Sequence, residues 1–214
     1  MVTVKNATVR DYIYGGKSAV RSSNDLVFFH EGSVLGIIGG GCDEAVNNQV
    51  TLLKGGVEEH VIGGFANTTA TGNKVTMTGG TVNGSVIGGY ASTTSDGNSV
   101  YLGGGTVKGE TFASTALGGI TINGGVYGGY TSGTGTTENN NVYIFGDADV
   151  SATSLNGGNN GYAGNKLYVG LLSDGTPSPW TGGGQLVKDI TNFEAMDFSV
   201  VPWSTDKTAI KAGS

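Results

Sequence analysis

The stretch Gly72 to Gly109, GNKVTMTGGTVNGSVIGGYASTTSDGNSVYLGGGTVKG, nearly states one phrase twice. Asn73 returns as Asn98, Val75 as Val100, Gly80 as Gly105, Thr81-Val82 as Thr106-Val107 and Gly84 as Gly109, each 25 residues on (98 − 73). Inside a copy the period is two. Val75-Thr76-Met77-Thr78 alternates apolar and polar, Gly79-Gly80 breaks it, and Thr81 to Val86 alternates again before Gly88-Gly89 and a polar tract, Ala91 to Gly97. A period of two nested in a period near 25 describes one turn of a solenoid, read as strand, turn, strand, loop.

The repeat extends both ways. One anchor is an Asn two residues before an apolar residue, at Asn24, Asn48, Asn73, Asn98, Asn140 and Asn165. A second is an apolar pair followed by Gly-Gly, at Ile13-Tyr14, Ile37-Ile38, Val61-Ile62, Val86-Ile87 and Val126-Tyr127. A lone coil cannot bury its apolar face, whereas stacked coils bury a continuous one and pair each strand with its copy one coil on. Stacking predicts three inward ladders: Val50/Val75/Val100/Val142, Leu52/Met77/Leu102/Ile144 and Ile37/Val61/Val86/Val126. The six Asn form a corner ladder, since Asn tolerates left-handed backbone and its amide can bond its stacked neighbour, and the glycines supply the sharp corners. The fold class expected is all-β, a parallel β-solenoid (β-helix) of 24–25-residue coils over 1–169, with a non-repetitive C-terminal cap or the start of a next module over 170–214. Six to seven coils give a length of about 30 Å.

One irregularity tests this. Gly104 to Gly109 is followed about 15 residues later by Gly118 to Gly124, without the long polar loop. Gly103 to Ser114 and Gly118 to Tyr130 are expected to be consecutive half-coils joined tightly at Thr115 to Leu117, with a ladder defect or narrower coil there.

Composition narrows the function classes. Of 214 residues 41 are Gly, against an average of about 7%, yet 3 Pro exclude collagen. Net charge is −6 with 11 Lys plus Arg and no basic run, which argues against nucleic acid as a partner. Cys42 is the one cysteine, so no internal disulfide forms. No apolar run is long enough for a membrane span, and no signal peptide opens the chain. The opening VTVKNATV already reads as strand, so a fragment of a longer protein is expected.

The phrases GGTVNGSVIGGY (79–90), GGVEEHVIGGF (55–65) and NGGVYGGY (123–130), with VKDITNFEAMDFSVVP (187–202) behind them, resemble passenger-domain repeats of autotransporter (type V secretion) surface proteins of Gram-negative anaerobes. The resemblance covers most of the chain. It implies an extracellular, outer-membrane-surface location and a stalk or adhesin role toward host, bacterial or matrix ligands, with surface glycans or proteins as partners. It carries over no catalytic residue.

No chemistry stands out in the residues. Glu58-Glu59 aligns with Asn83-Gly84 and Lys108-Gly109, so acids do not stack as a glycosidase groove requires. His30 and His60 fall in different columns, His30 beside Lys54, so no two-His metal site is expected. Cys42 has no His partner nearby in sequence. GNNGYAGN (158–165) lacks the Asp of a calcium nonapeptide. Gly16-Lys17-Ser18 lacks the upstream Gly of a P-loop, Asp11 standing there. The chain is read as a non-enzyme with no cofactor. What could bind are outward rows: Tyr14, Ile38, Ile62, Ile87, Phe112 and Tyr127 follow the inward column, and Tyr101 and Tyr143 share another outward position. Such a stripe marks an interface or a sugar-stacking surface, or it packs under a loop. Stacked edges also permit self-association. The alternatives are a carbohydrate-active enzyme on a β-helix, or an ice-binding solenoid, whose Thr column (Thr51, Thr76) would be interrupted by Val27, Tyr101 and Tyr143.

Overall fold

In the computed structural model, which describes residues 1–172, 174–178, 180–181, 186–198 and 211–212, the repeat is a parallel β-solenoid of about eight turns. One wall is built from residues 26–29 and from Gln49–Leu52, Lys74–Val82, Ser99–Val107, Asn141–Ile144, Lys166–Val169 and Ala195–Phe198, paired parallel in that order. A second wall stacks Ile13, Ile37, Val61, Val86, Val126, Leu155 and Ile190 in one register column. All three predicted inward ladders form and lie in one continuous core, extended by Val27, Phe29, Leu167 and Val169. Each fully buried aliphatic contributes about 1.5–3 kcal/mol, and no single coil could collect that alone.

The polar tract is not a loop. Residues 44–46, Thr69–Thr71 and Thr94–Asp96 pair as a further narrow wall over a cluster of Ala45, Ala66, Ala70 and Ala91. Small side chains let this wall approach closely, so alternating Thr and Ala were a strand signal.

The Asn column forms with one correction. Asn48, Asn73, Asn98, Asn140 and Asn165 are fully buried. The Asn73 Oδ1 accepts from both the backbone N–H and the Nδ2 of Asn48, each at 3.0 Å, and the Asn73 Nδ2 donates to Asn98 Oδ1 at 3.0 Å and to the Ala45 carbonyl at 2.9 Å. The same pattern recurs coil after coil, so every amide atom is satisfied in a dry interior. Asn24 is not in the ladder. The register step there is 23 (Val27 to Val50), so Asp25 takes the rung and its N–H donates to Asn48 Oδ1 at 2.9 Å. Asn24 sits one column earlier, exposed at φ 58, above Asn47 (φ 55) and Gly72 (φ 66). Left-handed backbone and amide ladder therefore belong to neighbouring columns, not to one. The same one-residue slip places Phe28, not Val27, over Thr51 and Thr76, and sets His30 beside Leu53 rather than Lys54.

The Gly-Gly pairs are close approaches rather than corners. A Cβ on Gly63 would lie 2.3 Å from the Gly88 carbonyl oxygen, and one on Gly64 would lie 2.5 Å from the Asn73 amide. The repeat thus couples two distant positions: the ladder Asn fits because the facing wall has no side chain. True corners fall on a separate column that includes Gly80 (φ 86) and Gly105 (φ 83).

The expected half-coils do not form. Val100 pairs directly with Val142 and Val86 with Val126, and Asn98 bonds Asn140 at 2.9 Å without a ladder defect. The register step of 42 (142 − 100) is one coil of 25 plus 17 residues. Of these, 15 precede Val126 (126 − 86 = 40, one coil of 25 plus 15) and leave the coil as an antiparallel hairpin, Phe112–Ser114 against Ile120–Ile122, joined by a 3-10 turn at Thr115–Leu117. After Val169 the chain makes an excursion, with Trp180 buried and its Nε1–H donating to the Ala148 carbonyl at 2.8 Å. It then returns: Ile190–Thr191 and Ala195–Phe198 add a further rung, inside the segment expected to be a cap. Of that expected cap, 173, 179, 182–185, 199–210 and 213–214 lie outside the described residues.

Candidate functional site: the two outward rows

The first outward row is covered. Ile38, Ile62 and Ile87 do point away from the main core, but all are fully buried. They pack with Tyr12, Tyr127, Leu117 and Ile122 in a second apolar cluster. Leu117 and Ile122 come from the hairpin, which folds back across the wall as far as the first coil, where Ser114 Oγ donates to Tyr12 Oη at 3.4 Å. Phe112 is not in the row at all. It sits on the covering hairpin and meets His60 edge-on, ring centroids 5.9 Å apart. Tyr127 is closed off as well, stacked T-shaped against Tyr130 at 5.0 Å, and burial pushes its phenol up to about 12. Of this row only Tyr14 keeps partial exposure, with the Lys17 ammonium 4.9 Å from its ring centroid.

The hairpin is anchored by polar contacts beneath it. Tyr12 Oη donates to Glu59 Oε2 at 2.9 Å, and burial first of all drives the Tyr12 phenol pKa far up. His60 Nδ1 accepts the Ser85 N–H at 3.1 Å while Nε2 has no partner. Burial pushes the His60 imidazole down to about 4, against the opposing charge of Glu59. These groups answer to packing. Among the described residues no group of three or more His, Cys, Asp or Glu is placed to hold a metal ion.

The second row is open. Tyr101, Tyr143 and Tyr168 stack on consecutive rungs, centroids 4.3 and 4.5 Å apart and planes within 5°. Lys74 Nζ stands 4.2 Å from the Tyr101 centroid, on the face Tyr143 does not use. Tyr143 is buried by its two neighbours, and burial, then the adjacent phenols, raise its pKa. Tyr101 and Tyr168 remain partly exposed, and Thr51 and Thr76 continue the column below them. Sequence reasoning missed Tyr168 and Lys74, although Tyr168 lies 25 residues after Tyr143 (168 − 143). Because the ring faces are taken by one another, the row offers edges and hydroxyls outward. It is a hydrogen-bonding strip, with Gln49, Lys74, Ser99, Asn141 and Lys166 in the parallel column beside it. It is not the sugar-stacking face that alternation alone suggests.

No family model, curated protein or solved structure matches this chain. No helix among the described residues is long and apolar enough to cross a membrane.

Proposed function

We propose that this solenoid is a stalk and display surface of a bacterial cell-surface passenger protein, and that it adheres through the row Thr51, Thr76, Tyr101, Tyr143 and Tyr168 with Lys74. The observation that supports this reading is the open row itself. One wall has its outer face covered by a hairpin, whereas the other keeps stacked phenols flanked by amides and ammonium groups at rung spacing. Repeats about 4.8 Å apart suit an extended polar polymer, such as a host or matrix glycan, gripped by many weak contacts rather than in a pocket. The residue phrases that resemble autotransporter passengers agree with such a role.

The test is retention of beads coated with the purified chain on mucin-coated and biofilm-matrix-coated glass under flow. The reading expects retention above beads carrying an inert protein, and its loss in a Lys74→Ala/Tyr168→Ala double variant. Both residues are peripheral to the core, so the solenoid stays folded. Retention equal to the inert control, or unchanged in the double variant, refutes it.

A further inference from the structure

A second aromatic column runs up the covered wall, and it stops one rung short. Register places Lys17, Gly41, Phe65, Tyr90 and Tyr130 on successive rungs. Phe65 stacks on Tyr90 at 4.8 Å and Tyr90 on Tyr130 at 5.4 Å, each pair within 11° of parallel. The next rung toward the N-terminus is Gly41, which has no side chain. Phe65 thus has a ring against one face and an empty rung against the other. That gap opens a cleft of about 280 Å³, lined by Tyr14, Lys17, Gly41, Cys42, Phe65 and Leu117 among others. Tyr14 leans over Gly41, with its Cε1 3.1 Å from where a Cβ there would lie, and lines the cleft together with Phe65. Leu117, from the hairpin turn, closes one side.

We propose that this cleft binds a small planar aromatic acid, its ring in the rung vacated by Gly41, stacked on Phe65, and its carboxylate at the Lys17 ammonium. Two features decide the ligand class. The column itself shows that rings stack here at rung spacing, and an added ring extends that stack with about 0.5–1.5 kcal/mol beyond area burial. The lining is polar and apolar in about equal measure, and its apolar part, Phe65, Leu117 and the Tyr14 ring, offers a pyranose no partners for its hydroxyls. Asn67, at the rim, already commits its Nδ2 to Asp43 at 2.7 Å. The charge follows from the lining. Lys17 is its one charged residue, with no carboxylate among the lining groups. The Cys42 thiol donates to the Glu44 carbonyl at 2.6 Å and burial holds its pKa up, so no thiolate competes for the ammonium. The cleft opens on a different wall from the tyrosine row, so its test and the bead assay stand or fall separately.

The test is a titration of the whole ¹⁵N-labelled chain with 4-hydroxybenzoate, followed by amide shifts, with 4-hydroxybenzyl alcohol and glucuronate as comparison probes. The expected result is saturable shifts at Tyr14, Gly41, Cys42, Phe65 and Leu117, stronger binding of the acid than of the alcohol, and none with glucuronate. Lys17→Gln, at an exposed position, should weaken the acid by about fivefold or more and leave the alcohol unchanged. Phe65→Leu should weaken both. Gly41→Leu, which fills the rung while leaving Phe65 in place, should abolish both and keeps the test decisive if Phe65→Leu fails to fold. Absence of saturable shifts, shifts scattered over other walls, or glucuronate binding ahead of the aromatic acid each overturns the proposal. An unchanged acid affinity in Lys17→Gln overturns it too.

Discussion

Acidification should destabilise this protein through His60. The imidazole is fully buried, its Nδ1 accepts the Ser85 N–H at 3.1 Å, and burial lowers its pKa from 6.5 to about 4. The folded state therefore binds fewer protons than the unfolded state between those two values, and stability must fall as pH drops through that window. With these values the loss relative to pH 7.5 is about 2 kcal/mol at pH 5 and about 3 kcal/mol below pH 4. A protonated Nδ1 cannot accept from Ser85, so the structural cost falls where the hairpin lies on the coil beside Phe112. Asn at position 60 keeps an acceptor near Nδ1 and has no proton to gain, so His60→Asn is the reference. Urea unfolding of both proteins at pH 7.5 and 5.0 isolates the term, because the other titrating groups are common to both. The wild type should lose about 2 kcal/mol more than the variant, with hydrogen exchange of the hairpin amides rising first. Equal losses within about 0.5 kcal/mol refute the reasoning. A wild type that gains stability in acid would show that the charge of Glu59, not burial, governs this imidazole.

Other consequences are as direct. Asn73→Ala strands the Asn48 donors and the Ala45 carbonyl in a dry interior and should cost about 3 kcal/mol or more by denaturant unfolding, whereas Asn24→Gly, at an exposed left-handed position, should stay within about 0.5 kcal/mol. Gly64→Ala drives a Cβ to 2.5 Å from the Asn73 amide and should lower the melting temperature sharply, while Gly56→Ala, with nothing within 4 Å, should not. Replacing 108–125 by Asn-Gly-Ser, the connection used at Asn83 to Ser85, should preserve the far-UV spectrum of the solenoid but expose Ile38, Ile62 and Ile87, read as new ANS binding and self-association.

The divide between what was legible in the sequence and what was not has a physical cause. Ladders were legible because stacking places like on like at a fixed step, so Val50, Val75 and Val100 announce their contact by spacing alone. The slip at Asn24 arose because two adjacent columns both accept Asn, one for its left-handed backbone and one for its amide. Spacing could not tell which was meant when Asp25 filled the second. The hairpin was illegible for the converse reason. Gly118 to Gly124 carries the solenoid's own vocabulary, yet it pairs antiparallel with Phe112–Ser114, and repeat matching has no term for direction. That one misreading changed the candidate site. An outward position in a coil is exposed only if nothing crosses it, and the inserted hairpin crosses Ile38, Ile62 and Ile87. The tyrosine column kept partial exposure at Tyr101, whereas Tyr143, also expected to face outward, is buried between its stacked neighbours. Insertions between coils therefore decide which face of such a solenoid can meet a partner. The hairpin does both at once here: it removes one row from solvent and, through Leu117, builds one side of the cleft beside Gly41.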